Sequence, residues 1–277
     1  TTEIYTLSLH DALPISLKPY IKHYWTMESS TFESDVCERV IPTANVQLMF
    51  HYRKPFVVKN NDSTLTHQPK SIISGINNSY FDVSTSGQAG VIAVVFNPTG
   101  ACHFFRFPLM EVENQSVNLR DIFNKEIMQI EEKICNETLM GKRIEVIEEF
   151  LLQKLLPIHN SNLILIQNSL NLIKQNRGQI SALELSGKLS VTTKSLERKF
   201  SALLGKTPKQ FIKLIRFQEV VLDISRNRNI DLTEYAYRYG YFDQSHFIKD
   251  FKNYTGYTPK EFLSLCPCDH IVTDFGI

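Results

Sequence analysis

The feature that most limits what this chain can become is a repeat near its C-terminus. Residues 195–211 read SLERKFSALLGKTPKQF and residues 246–262 read HFIKDFKNYTGYTPKEF. At an offset of 51, Phe200, Gly205, Thr207, Pro208, Lys209 and Phe211 recur as Phe251, Gly256, Thr258, Pro259, Lys260 and Phe262. Upstream the offset is 50, with Ile180, Glu184 and Ser195 recurring as Ile230, Glu234 and Ser245. One residue is therefore inserted in the second copy, near its turn. Two copies are too few for a solenoid. They predict two similar supersecondary units joined by a long helix.

Each copy has the spacing of a helix-turn-helix. In the second, residues 232–238 form the first helix, with small Ala236 where another helix must cross closely. Gly240 follows at the turn, where a positive φ costs glycine little. Asp243 stands where an N-cap is wanted, and residues 244–254 form the second helix. Phe247, Phe251 and Tyr254 face inward, leaving Gln244, Ser245, His246, Lys249 and Lys252 on the other sides. The first copy is a weaker match, with Ser186 and Ser190 at the small and turn positions and Thr192 or Thr193 as cap. There Leu196, Phe200 and Leu203 or Leu204 face inward, and Lys194, Glu197, Arg198 and Ser201 outward. The joining helix covers residues 208 to about 225, its Pro208 suited to a first helical position.

This design suits DNA. A helix fits the major groove, and its first turns reach base edges. Two units one connecting helix apart can enter successive grooves, ~34 Å apart on one face. The candidate DNA-binding residues are Thr193, Lys194, Glu197, Arg198, Gln244, Ser245, His246, Lys249 and Lys252. Arg198 and Lys249 occupy equivalent places and can meet guanine or phosphate; Gln244 can pair with adenine, and Glu197 can accept from cytosine or pair within its own helix. Thr207-Pro208 and Thr258-Pro259 open two further helices whose N-termini could meet phosphates.

With these residues in view, residues 163–263 resemble the DNA-binding domain of the AraC/XylS family of bacterial transcription regulators. The stretch AYRYGYFDQSHFIKDFKNYTGYTPKEF at residues 236–262 is close to that family's signature. Residues 17–156 resemble, more weakly, an N-terminal domain fused to such regulators, through residues 46–52 and 96–101 and the helical stretch that follows. The resemblance implies double-stranded DNA and RNA polymerase as partners. The best-known members sense a small molecule in the front domain and form homodimers through it; this sequence leaves both traits open.

Read by itself, the front half is β-like up to about residue 108. Short apolar and aromatic runs at residues 20–21, 24–25, 46–52, 56–58, 71–76 and 91–96 lie between Pro and Gly residues, which predicts a sandwich or barrel. Residues 100–105 could open a short helix. Over residues 120–156 apolar residues recur at three- and four-residue steps in two groups divided by Gly141, an amphipathic helical hairpin. The expected fold is thus two-domain α+β: a β-rich, cupin-like or simply β, regulatory or dimerisation domain over 17–156, a linker at 157–162, an all-α tandem helix-turn-helix domain over 163–265, and a tail at 266–277. Residues 1–15 coincide with the translation of a common sequencing-library adapter, and the adapter's last base begins the codon of Ser16. Residues 1–16 are therefore expected to be foreign to the fold, and His10 and Asp11 are set aside.

Charge agrees with this division. Residues 1–160 hold 14 Lys and Arg against 18 Asp and Glu, whereas residues 161–277 hold 16 against 11, as expected if only the back half meets a polyanion. No apolar run approaches the ~20 residues of a membrane-spanning helix, and five irregularly spaced Cys argue against a disulfide scaffold. A reduced, cytoplasmic protein is expected. His23, His51, His67, His103 and His159 show none of the tight spacings of zinc sites, and Cys266-Pro267-Cys268 reads as tail. Cys37 and Cys102 are either buried thiols or electrophile sensors. No nucleophile elbow, Gly-rich phosphate loop or paired carboxylates occur, so no enzyme activity, metal or other cofactor is expected. The rival is a cupin-like metal-dependent enzyme carrying an accessory helical domain.

Overall fold

The computed structural model describes residues 14–28, 36–59, 64–85, 87–158, 160–226, 231–264 and 271–272. Residues 1–13, Ile230, His159, Cys266 and Cys268, each with a role in the sequence reading, lie outside them. Of the adapter-like stretch, the described Ile15 is 86% exposed, although the Pro14 carbonyl accepts from the amides of Leu17 and Lys18.

Ten strands form two five-stranded sheets among the described residues. The first contains β1 (Ile21–Glu28), β3 (Gln47–His51), β6 (Ser71–Ser74), β8 (Gly90–Phe96) and β9 (Ser116–Asn118), in the order β1-β8-β3-β6-β9. The second contains β2 (Val36–Val40), β4 (Val57–Lys59), β5 (Leu65–His67), β7 (Phe81–Thr85) and β10 (Ile271–Val272), in the order β10-β2-β7-β4-β5. All pairings are antiparallel except β10 on β2. The first sheet is covered on both faces. Along β8, Val91 and Ala93 join Met27, Met49, Ile72 and Val83 between the sheets. The alternate Ile92, Val94 and Phe96 join the larger core beneath the helices. A strand buried on both faces reads as an unbroken apolar run, and GVIAVVF is one.

The covering helices are α1 (Leu119–Phe123), α2 (Lys125–Asn136) and α3 (Met140–Lys154). The expected hairpin is present, but its break falls at residues 137–139 and Gly141 lies inside α3. Leu139 occupies the N-cap position there. Ile127, Ile134, Ile147, Phe150 and Leu151 are buried against the sheet. Polar groups tie the layers: Ser71 Oγ donates to Glu131 at 2.6 Å, and Arg120 closes on the same carboxylate. The short helix after Gly100 is a single 3₁₀ turn at Ala101–His103. The segment before the next helix is anchored, since the His103 carbonyl accepts from Leu156 N and its Nδ1 from Ile158 N.

The second domain holds α4 (Ser161–Gln175), α5 (Ala182–Lys188), α6 (Thr193–Leu204), α7 (Pro208–Arg226), α8 (Leu232–Arg238), α9 (Gln244–Thr255) and α10 (Pro259–Ser264). α5–α6 and α8–α9 are the two expected units, and α7 joins them. Among the described residues no helix is long and apolar enough to cross a membrane.

Candidate nucleic-acid interface

The two units share one internal frame. Phe200 and Phe251 are fully buried at equivalent places. Phe200 meets Phe211 edge-on at 6.1 Å, and Phe251 meets Phe262 edge-on at 5.3 Å. Thr192 Oγ1 caps α6 by accepting from Ser195 N at 3.2 Å, and Asp243 Oδ1 caps α9 by accepting from His246 N at 2.7 Å. Gly240 has the expected positive φ of 67°; Ser190 takes the same left-handed conformation, at φ 54°, without glycine's freedom. Arg216 on α7 holds the units together, donating to the Gly178 carbonyl at 2.9 Å and the Gly240 carbonyl at 3.2 Å. Lys213 on α7 reaches Asp250 of α9 at 2.8 Å. The sequence reading passed over both cations, because a residue inside a connecting helix carries no mark of what it pins.

Seven of the nine candidate contacts are exposed. Lys194, Glu197 and Arg198 are exposed on α6; Ser245, His246, Lys249 and Lys252 are exposed on α9. His246 faces Asp250 one turn on, with Nε2 at 3.6 Å from its carboxylate. The other two sit closer in. Thr193 is half-buried with its hydroxyl 3.3 Å from Ser186 Oγ, and Gln244 accepts from Thr233 Oγ1 at 3.3 Å. Gln244 keeps its amide NH₂ as a donor, while Thr193 serves the packing of α5 on α6.

The helix N-termini at Pro208 and Pro259 do not match the expectation of phosphate sites. Gln210 Oε1 accepts from Thr207 N at 2.9 Å, and Glu261 Oε2 accepts from Thr258 N at 2.7 Å. Side chains from the helices themselves fill the places an anion would take. The backbone amide of Thr258 in turn holds the Glu261 carboxyl below its ordinary range.

These turns face the front domain instead. Lys206, 2% exposed, donates to Glu113 Oε1 and Asn78 Oδ1, each at 2.7 Å. Gln210 Nε2 also donates to Glu113, at 3.1 Å. At the matching place in the second unit, Arg39 stacks between Tyr80 at 4.2 Å and Tyr257 at 4.6 Å, and reaches the Thr255 carbonyl at 3.4 Å. Asn253 donates to the Asn78 carbonyl at 2.9 Å. Gly205 and Gly256, with φ of 75° and 77°, end α6 and α9; a Cβ would lie 2.8 Å from the Leu109 carbonyl at the first and 2.5 Å from Arg39 at the second. Both units thus dock through the C-terminal ends of their second helices, leaving the N-terminal ends outward.

Elsewhere the candidate chemistry is dispersed. Among the described residues no three His, Cys, Asp or Glu side chains gather as metal ligands would. Cys102 is buried with its thiol 3.2 Å from the Thr99 carbonyl, and burial pushes its pKa up to about 12. That is the buried-thiol alternative, not the sensor.

Residues 185–264 match a family described as a helix-turn-helix domain, and residues 14–118 match one described as a domain of unknown function. No curated protein sequence matches the chain. Among solved structures, ToxT from Vibrio cholerae is similar at 12% identity, over 88% of this chain and 98% of that one, with a TM-score of 0.44. The C-terminal domain of AraT, a response regulator from Geobacillus stearothermophilus, is similar at 18% identity over 41% of this chain and 91% of its own, TM-score 0.35. A DNA-binding transcriptional dual regulator from Escherichia coli K-12 is similar at 21% identity over 37% of this chain and 97% of its own, TM-score 0.33.

Proposed function

We propose that this chain, whose C-terminal domain is a tandem helix-turn-helix of the AraC type, is a sequence-specific DNA-binding transcription regulator. The observation that carries the reading is the repeated frame with opposite ends assigned opposite tasks. The C-terminal ends of α6 and α9 are committed to the front domain, and their N-terminal turns stay exposed with Arg198 and Lys249 at one repeated position. Cations on such a surface supply phosphate affinity, and base edges supply choice. Lys194, Arg198, Gln244, Ser245, His246, Lys249 and Lys252 are the proposed contacts, with Glu197 accepting from a cytosine amine. The front domain serves as a small-molecule sensor and homodimer surface, and RNA polymerase is the downstream partner; for these the support is the kinship of the DNA-binding domain.

Footprinting on the DNA upstream of the gene tests the reading. Two protected major-groove patches on one face are expected, about 10 base pairs apart. Equal affinity for every duplex, with no footprint, rejects it.

A further inference from the structure

The turn of the second unit is one residue longer than that of the first, and the backbone shows which residue is extra. Tyr241 N donates to the Ala236 carbonyl at 2.8 Å, as Val191 N donates to the Ser186 carbonyl at 3.1 Å. Tyr241 thus stands where the first unit has Val191. Thr192, the cap of α6, follows Val191 directly, whereas Phe242 comes between Tyr241 and Asp243, the cap of α9. Phe242 has no counterpart in the first unit.

The extra ring is turned to solvent. Phe242 is 85% exposed, and among the described large hydrophobic residues only Ile15 is more so. It leaves unmade the contact that its place invites. An apolar residue just before an N-cap often packs on the fourth residue of the helix, here Phe247. That contact goes to Tyr241 instead, which is 5% exposed with its ring 5.2 Å from that of Phe247. The burial that stabilises a phenyl ring is therefore still open to a partner. Exposed apolar residues occur singly on most surfaces; the place of this one gives it a use. Phe242 stands two residues before Gln244, at the outward end of α9, and the exposed Ser245 and His246 follow.

The chemistry of the ring selects what it meets there. A phenyl group has no charge for a phosphate and no donor or acceptor for a base edge. In the major groove thymine presents a C5-methyl group, which apolar side chains such as Phe contact. We propose that Phe242 is a specificity-determining residue of the second unit, packing its ring on a thymine methyl in the half-site of α9. The contact presupposes the proposed regulator and adds a base preference made without hydrogen bonds. Because no charge is involved, it sharpens choice without adding salt-dependent affinity. It belongs to the second half-site alone, since the first unit lacks the residue.

The test uses the full chain and the upstream DNA that it protects in footprinting. Each thymine of the two protected patches, on both strands, is replaced in turn by deoxyuridine, which removes the methyl and keeps every hydrogen-bonding group. One replacement in the α9 patch is expected to weaken binding by about fourfold, the worth of one buried methyl. Phe242→Ala is expected to bind the thymine and uracil DNAs alike, near the affinity of the parent for the uracil DNA, with an unchanged salt slope. Phe242→Leu, which keeps an apolar side chain, is expected to restore part of the preference. Three results each overturn the proposal: a parent indifferent to every methyl, a methyl preference that survives intact in Phe242→Ala, or a Phe242→Ala salt slope lowered as if a phosphate contact were lost. A parent that protects no DNA removes the regulator and this contact together. A parent that protects DNA but ignores the methyl removes the contact and keeps the regulator.

Discussion

Arg198 and Lys249 are a cationic pair that the repeat keeps at one exposed position of its second helices, and they are where single substitutions should be most informative. If either reads a base, its change to Ala should cost ~1–3 kcal/mol and relax preference at one base pair. A phosphate contact should instead weaken all sequences alike and reduce the salt slope by about one. Affinity for single-base operator variants at two salt concentrations decides between these, and parental behaviour by both variants shows that the helices are misassigned. His51 offers a different residue-scale test. Burial lowers its pKa from 6.5 to about 4, and its Nδ1 has no hydrogen-bond partner among the described residues. The unfolded chain therefore takes up a proton that the folded chain refuses between these values. Stability from this group is full above pH 6.5 and falls as pH drops toward 4, by on the order of 3 kcal/mol at most. Urea unfolding of the parent and His51→Gln across that window should show a shallower fall in the variant; parallel curves refute the assignment.

At the scale of elements, Ser190 is the place where the first unit departs from the second. It adopts the left-handed turn that Gly240 adopts freely. Ser190→Gly should relieve that strain and stabilise the domain by roughly 0.5–1 kcal/mol, seen as a higher denaturation midpoint; an unchanged or lower midpoint counts against strain at this turn. The comparison also shows why some elements were legible in the sequence and others were not. The helices of the second unit were readable to within a residue, because Ala236, Gly240 and Asp243 each mark a specific backbone need. β3 and β8 were readable because burial on two faces makes their runs apolar. β2, β5, β7 and β9 were missed: VCERV, LTH, FDVST and SVN mix polar and apolar residues in segments too short for a period to emerge. The docking role of Lys206 was hidden for another reason. A lysine after a helix-ending glycine looks like any exposed cation, and its partners Glu113 and Asn78, 93 and 128 positions away, account for its burial.

For the whole molecule, the contact between domains is the feature open to direct test. Lys206 has a side chain 1% exposed, and Glu113 one 25% exposed. Removing the carboxylate with Glu113→Ala leaves a buried ammonium with Asn78 alone. That should cost about 2–3 kcal/mol, below the range for a wholly buried pair because Glu113 is partly solvated. Lys206→Met leaves a carboxylate that water can reach and should cost less. Chemical denaturation of the two variants gives the order, and the reverse order refutes the docked geometry. The shared frame has a last consequence, for the DNA rather than the protein. The residues that recur between copies are mostly core rings, turn glycines, caps and helix starts, whereas along the second helices Glu197 stands where the other copy has Ile248, and Ser201 where it has Lys252. The two units are built alike and equipped to read differently. A target for one chain therefore has polarity: two unlike half-sites in a fixed order, without a dyad. Exchanging the halves asks each helix to read the other's bases, and reversing the whole site turns the front domain to face the opposite way along the duplex.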